Sequence, residues 1–171
     1  YIWIGTDNGL YRYDGSEFTL FSLDGDEDAT KYSINCIYLT SDEKLYVGTD
    51  NYGLYMYDNG TFQRVSEMYN LGVSTINAMY EDDNKNLWIA ASSGIFRLSS
   101  DGAEALADDV VSGLSVGNIS GHGDYVYAIA NNDILITVDP ERHVSITNKS
   151  EYRVDDINSL YVDENGNRYY G

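Results

Sequence analysis

The feature that most constrains this chain is a pattern that returns at nearly fixed intervals. The opening stretch YIWIGTDNGLYRYDGSEFTLFS, Tyr1 to Ser22, comes back three more times and begins once more as the chain runs out. With the aromatic residue of its IWIG segment as phase marker, the series is Trp3, Tyr46, Trp88, Tyr127 and Tyr169, spaced 43, 42, 39 and 42 residues apart. A period of this length, filled with short apolar runs and turn residues, is that of one four-stranded blade per repeat.

Turn residues divide each unit. In the second, Ile34 to Thr40 leads through SDEK into Leu45 to Thr49; DNYG turns the chain into Leu54 to Tyr57, and DNG leads to Thr61 to Ser66. The third unit predicts strands at Ile76 to Glu81, Leu87 to Ala91, Ile95 to Leu98 and Ala103 to Ala107, the last with an alanine-rich composition poorly suited to a strand. The fourth predicts a strand beginning at Ile119, then Tyr125 to Ala130, Ile134 to Val138 and Val144 to Thr147; Ile157 to Val162 and Tyr169 to Tyr170 follow. The expected organisation is a partial blade over 1–22, blades over 34–66, 76–107 and 119–147, and a partial blade over 157–171. Runs such as LYVG, LWIA and ILITV are apolar on both faces, so each sheet must be covered on both sides, as a blade between two blades is. No 3.6-residue apolar period supports a helical alternative. The fold class expected is all-β, a β-propeller of four-stranded antiparallel blades, with Trp3, Tyr46, Trp88 and Tyr127 as packing residues.

Composition bounds the partners. Ten basic against 28 acidic residues leave a formal charge of −18, which opposes nucleic acid and anionic lipid. The single cysteine, Cys36 in SINCIYL, has no partner within the chain and reads as a small apolar core residue. No apolar run approaches the roughly 18 residues a membrane helix needs, and no signal-peptide pattern is present.

The repeats IWIGTDNGLYRYD, LYVGTDNYGLYMYD and LWIAASSGIFRLS, with a weakened VYAIANNDILITVD, resemble the two-component regulator propeller repeat. That family is found in extracytoplasmic sensor regions of bacterial hybrid histidine kinases and some diguanylate cyclases. The resemblance implies a non-enzymatic sensing role, a periplasmic or cell-surface location, and more blades than four. It departs at Ala90 and Ala91, where glycine and threonine are usual, and in the fourth unit, which lacks the glycine opening its third strand. The duplicated phase at the two ends predicts an open fragment of a larger, seven-bladed propeller, whose bare blade faces would associate with neighbouring blades or a second copy. A four-bladed ring closed by pairing Ile157 to Val162 with Ile2 to Thr6 is the alternative.

Motifs for chemistry are sparse. Acidic turns at Asp82, Asp83, Asn84 and Asn86, and at Asp163, Asn165 and Asn167, echo calcium loops but lack the closing glutamate and fall where hairpins must turn. No metal or cofactor is expected. His122 and His143 are too few for a His-rich metal site, and no nucleophile elbow or sialidase Asp-box appears. Arg12 and Arg97 occupy matching third-strand positions, with Met56 and Ile136 as the expected counterparts.

Most of the 17 tyrosines fall at blade-packing phases, but Tyr32, Tyr69 and Tyr152 lie in connections between blades and Tyr52 in a turn between second and third strands. Both kinds of connection emerge on one face, beside Asp50, Asn51, Asn131 and Asn132. Aromatic plates among short hydrogen-bonding side chains suit sugars, so these eight residues are the expected ligand site. Asn35, Asn77 and Asn158, with Ser120, recur in the inner strands as groups that satisfy backbone between blades. The acidic charge favours neutral oligosaccharides over sulfated or uronate-rich ones, unless Arg64, Lys149 or Arg153 supplies local compensation. A ligand-sensing propeller, a propeller glycoside hydrolase or lyase, and a protein-interaction scaffold remain the function classes.

Overall fold

The computed structural model describes residues 1–25, 27–106, 111–152 and 156–171, the side chain of Tyr152 excepted. The chain divides into two compact units, Tyr1–Asn77 and Ala78–Gly171. The fold is all-β, built of antiparallel meanders. β1 (Ile2–Thr6), β2 (Gly9–Tyr13) and β3 (Phe18–Phe21) form a three-stranded sheet. β4 (Ile34–Leu39), β5 (Leu45–Thr49), β6 (Leu54–Asp58) and β7 (Thr61–Arg64) form the first complete blade. The second is β8 (Ile76–Glu81), β9 (Leu87–Ala91), β10 (Gly94–Ser99) and β11 (Gly102–Ala105). The third is β12 (Val116–His122), β13 (Tyr125–Ala130), β14 (Ile134–Val138) and β15 (Val144–Asn148). β16 (Leu160–Val162) takes β17 (Arg168–Tyr170) as neighbour in a two-stranded sheet, while β1 is the edge of its own sheet.

The repeated residues have separate physical jobs. Gly5 and Gly48 are where an inner strand passes close: a Cβ at Gly5 would lie 2.5 Å from Ile34 Cγ2, and one at Gly48 2.5 Å from Cys36 Sγ and 2.7 Å from Ile76 Cγ2. Ala90 stands at the same phase and is fully buried beneath β12, so this position takes one methyl where the neighbouring strand leaves room. The threonines that follow close the next turn. Thr6 Oγ1 donates to Gly9 O (2.9 Å) and accepts from Asn8 N (3.1 Å); Thr49 Oγ1 donates to Gly53 O (2.8 Å) and accepts from Tyr52 N (2.9 Å).

Each unit has its own core. In the first, Leu10, Leu23, Tyr32, Ile34, Val47 and Tyr55 are buried together, with Trp3, Phe21 and Phe62 packed against them. In the second, Trp88, Ile95, Val116, Val126, Ile136 and Val138 belong to one cluster, and Ile129, Leu135, Ile157 and Leu160 to another. Tyr46 and Trp88 are buried, and Trp3 and Tyr127 are half-buried.

Several boundaries differ from expectation. β7 stops at Arg64, and Val65–Met68 form a helical turn, α1, because Val65 and Ser66 turn inward and Ser66 Oγ accepts from Leu54 N (3.4 Å). β11 spans Gly102–Ala105, and Ala107 lies outside the described residues. The final inner strand begins at Leu160; Ile157 is buried but serves as a connection, its N–H donating to Asn132 O (3.1 Å). The partner of Tyr127 on the third strand is Thr137, not Ile136, because the β13–β14 turn carries one residue more than the β9–β10 turn. Tyr169 is 55% exposed on a two-stranded sheet, unlike its buried or half-buried counterparts.

Candidate functional site

In the first unit the two kinds of connection do emerge together. Asp50 N donates to Ser33 O (3.0 Å), Gly53 N donates to Ser74 O (2.7 Å), and Thr75 Oγ1 donates to Asp50 O. These bonds tie the β5–β6 turn to the entry of β4 and to the connection leading into β8. Asp50 and Asn51 are exposed in that turn, their side chains joined through Asn51 Nδ2 to Asp50 Oδ2 (2.9 Å). Tyr52 is half-buried, and its carbonyl accepts from Arg64 Nε (2.7 Å).

Tyr32 requires a correction. It is fully buried in the core rather than free of blade packing, because the connection before β4 folds back over the blade. Its ring meets Tyr52 edge-on at 4.9 Å, and its hydroxyl donates to Asp24 (3.2 Å), which also accepts from Tyr55 (2.8 Å). Burial, followed by the bond to Asp24, holds the Tyr55 hydroxyl well above the usual tyrosine range. Tyr32 thus backs Tyr52 instead of meeting ligand. Lys31 Nζ lies 4.9 Å from the Tyr32 ring centroid and 5.2 Å from that of Tyr52. Tyr69 follows α1 and is 40% exposed; it does not itself line the recess of about 340 Å³ formed by its neighbours in the chain. Arg64, Ser66, Glu67, Asn70, Val73 and Ser74 line that recess. The sequence singles out Arg64 only as a cation; its bonds to Tyr52 O and to Glu67 (2.6 Å) depend on the helical turn that replaces the end of the strand.

In the second unit Asn131 and Asn132 are exposed, with φ of 52° and 56°, a left-handed pair that turns β13 into β14. Asn131 N donates to Ser115 O (2.9 Å) and Lys149 N to Asp133 O (2.8 Å), so the same two kinds of connection meet here as well. Tyr152 ends a second helical turn, α2 (Lys149–Tyr152), and its side chain, like all of Arg153, lies outside the described residues. Of the eight expected site residues, Tyr52, Asp50, Asn51 and Tyr69 fall in the connections of the first unit, and Asn131, Asn132 and Tyr152 in those of the second.

The acidic turns are staples. Asp82 accepts from Asn84 N (3.0 Å), Asn86 N (2.8 Å), Asn86 Nδ2 (2.8 Å) and the Trp88 indole (2.8 Å), which fills its carboxylate with donors from its own hairpin. Asp163 repeats the arrangement with Asn165 N, Asn167 and Tyr169. Asp139, Glu141 and His143 bring one donor atom each within 4.8 Å of one another. Asp139 is already engaged there by His143 N (2.7 Å) and Nδ1 (3.0 Å). Cys36 lies 3.9 Å from Ile76 O, and burial pushes its thiol up to about 12, far from a nucleophile's range. Asn35 Nδ2 donates to Ile76 O (3.1 Å), the backbone-satisfying role read for it. Among the described residues no helix is long and apolar enough to cross a membrane.

Residues 70–93 match the two component regulator propeller family. No curated protein matches the chain. Among solved structures, it is similar to a protein described as the extracellular domain of a hybrid two component system from B. thetaiotaomicron, with TM-score 0.76 and 17% identity over 99% of this chain and 25% of that one. A second B. thetaiotaomicron extracellular domain, described as that of a one component system, gives TM-score 0.57 and 20% identity over 99% and 29%. Virginiamycin B lyase from Staphylococcus aureus gives TM-score 0.71 and 14% identity over 98% and 58%. The chain spans between a quarter and three tenths of the two extracellular domains. It carries the two component regulator propeller repeat, matched over residues 70–93, on a fold of β-propeller blades.

Proposed function

We propose that the chain is a ligand-sensing segment of an extracytoplasmic propeller belonging to a bacterial membrane-bound signalling protein, and that it binds neutral oligosaccharide without cleaving it. The observation that carries this reading is the recess of the first unit, lined by Arg64, Ser66, Glu67, Asn70, Val73 and Ser74, whose Arg64 and Ser74 are hydrogen-bonded to the turn that bears Asp50, Asn51 and Tyr52, with the 40% exposed Tyr69 in the same connection. The family match and the likeness to extracellular domains of signalling proteins support the sensing role. The state of the cations supports a neutral sugar: Arg64 is paired with Glu67 (2.6 Å) and Lys149 with Asp156 (2.7 Å), so neither offsets the charge of −18 for an acidic glycan. Occupancy acts by shifting the population between two arrangements of the receptor, to the extent that sugar prefers one.

Calorimetric titration with malto-, cello-, xylo- and galacto-oligosaccharides, against oligogalacturonides as the acidic comparison, tests the reading. Each lost stacking contact is worth about 0.5 to 1.5 kcal/mol, so Tyr52→Ala combined with Tyr69→Ala weakens binding roughly tenfold or more. Binding that survives both substitutions in folded protein, a preference for the acidic sugars, or cleavage products on chromatography overturns it; cleavage would favour a glycoside hydrolase or lyase.

Further blades or a second copy of the chain are the partners proposed for the free edge of β1, where Tyr1 is 84% and Ile2 60% exposed. Sedimentation equilibrium is expected to show concentration-dependent association, weakened by Ile2→Lys; a monomer at all concentrations contradicts it.

A further inference from the structure

We propose that a groove in the second unit, lined by Trp88, Arg97, Glu104, Leu106 and Arg142, binds a flat, uncharged aromatic ring carrying a hydrogen-bond acceptor. The groove has a volume of about 310 Å³. Three of its residues form one row across the sheet: Trp88 on β9 faces Arg97 on β10, which faces Glu104 on β11. Arg142, in the β14–β15 turn, reaches the same Glu104 oxygen (2.6 Å) that Arg97 Nη2 contacts (2.8 Å). Leu106 and, behind the row, Val138 and Val144 pack in the cluster that contains Trp88.

The first unit contains the same row, and there the corresponding space is full. Trp3 faces Arg12, which faces Thr19. By strand register, Phe21 stands where Leu106 does, Tyr57 where Val138 does, and Phe62 where Val144 does. Those three side chains are rings. Phe21, Tyr57 and Phe62 lie 4.9, 5.5 and 6.0 Å from Trp3, and the Arg12 guanidinium is 4.9 Å from the Phe21 centroid and 4.3 Å from that of Tyr1. A planar guanidinium and an aromatic face attract one another, and the ring also removes apolar surface from water. The chain thus displays, in its own first unit, what occupies this space when it is filled. In the second unit each of the three rings is replaced by a short aliphatic side chain, while the tryptophan and the arginine are kept.

Size and charge define the ligand further. A cavity of about 150 Å³ is enough for benzene, so 310 Å³ holds a ring with a small substituent. Two guanidiniums, Arg97 and Arg142, are balanced in the groove by Glu104 and Glu141, which leaves no local excess of positive charge for an anion in a chain of −18. Arg97 Nε is buried and has no hydrogen-bond partner, so a small shift of the side chain on binding lets a carbonyl or amide oxygen on the ring pair with it. Arg12 Nε is likewise buried and unpaired beneath its rings, which places the ring rather than the acceptor as the main requirement.

The test uses the whole chain, folded by circular dichroism, with the arginine Nε–H signals followed by ¹H–¹⁵N NMR. Benzamide is titrated against cyclohexanecarboxamide, which has the same amide but no flat ring, and against N-acetylphenylalaninamide, which presents the ring as a peptide does. Benzamide or N-acetylphenylalaninamide is expected to shift the Arg97 Nε–H signal with a roughly millimolar Kd, as suits a ligand of so few atoms. Which of the two binds more tightly assigns the source, a free aryl amide or an aromatic side chain. Cyclohexanecarboxamide is expected to bind at least tenfold more weakly. Leu106→Phe, which puts a ring where Phe21 stands in the first unit, and Arg97→Lys, which keeps the charge and loses the plane, are each expected to reduce saturation-transfer signals from the bound amide at least tenfold. No binding by either aromatic amide, equal binding by the cyclohexyl compound, or undiminished binding by folded Leu106→Phe protein overturns the proposal.

Discussion

Asp14, Asp42 and Asp163 show how a single carboxylate fixes a turn in this chain. Asp14 accepts from Glu17 N (2.9 Å) and Ser16 N (2.8 Å), which lower its carboxyl from 3.8 to about 2. The Lys44 side chain lowers Asp42, and the Asn167 side chain lowers Asp163. A depressed carboxyl contributes stability that is present above its unfolded value and lost as pH falls through the folded one. The melting temperature is therefore expected to hold down to about pH 4 and to fall between about pH 4 and 2, with a shallower fall for Asp14→Asn. Thermal denaturation across that range is the measurement, and an unchanged melting temperature contradicts it. The turn role of Asp82 and Asp163 was legible because asparagines at fixed spacing follow each. That the aromatic six residues on would also bond the aspartate, Trp88 at 2.8 Å and Tyr169 at 3.2 Å, was not, since it depends on side chains meeting across the hairpin. Tyr32 misled for a similar reason: its place in a connection is visible in the sequence, but the fold-back that buries it beside Asp24 is not.

At the scale of the element, the IWIGT segment explains why the repeat is recognisable at all. In β5 and β9, its copies in the second and third repeats, every position is buried, whereas in the edge strand β1 none is fully buried. Its glycine admits the neighbouring inner strand and its threonine closes the turn that follows. Gly48→Ala introduces a methyl 2.5 Å from Cys36 Sγ and is expected to cost about 1 to 3 kcal/mol, read from chemical denaturation. Ala90→Gly, at the same phase in β9, is expected to cost only about 0.5 to 1 kcal/mol, because there the methyl fits. A Gly48→Ala protein as stable as its parent contradicts the role assigned to the glycine. Element boundaries were less legible than element phase. The helical turns Val65–Met68 and Lys149–Tyr152 follow outer strands; in the first, Val65 and Ser66 pack inward, and no alternation in the sequence marks either change.

At the scale of the whole chain, periodicity made the blades legible, because each four-stranded sheet must hide both faces and so repeats the same apolar pattern. The proposed ligand face was legible only in part. The order of turns and connections places Asp50, Asn51 and Tyr52 beside the segment that follows β7, but the recess there depends on Arg64, Ser66 and Asn70, whose contribution follows from the helical turn. The central proposal is that this recess takes a neutral oligosaccharide and releases it intact. Amide hydrogen–deuterium exchange of the chain, with and without a saturating neutral oligosaccharide, tests it most directly. The account predicts slowed exchange concentrated in residues 50–53 and 64–74, with the sugar recovered unchanged. Protection that falls elsewhere, or no protection at any concentration, contradicts it.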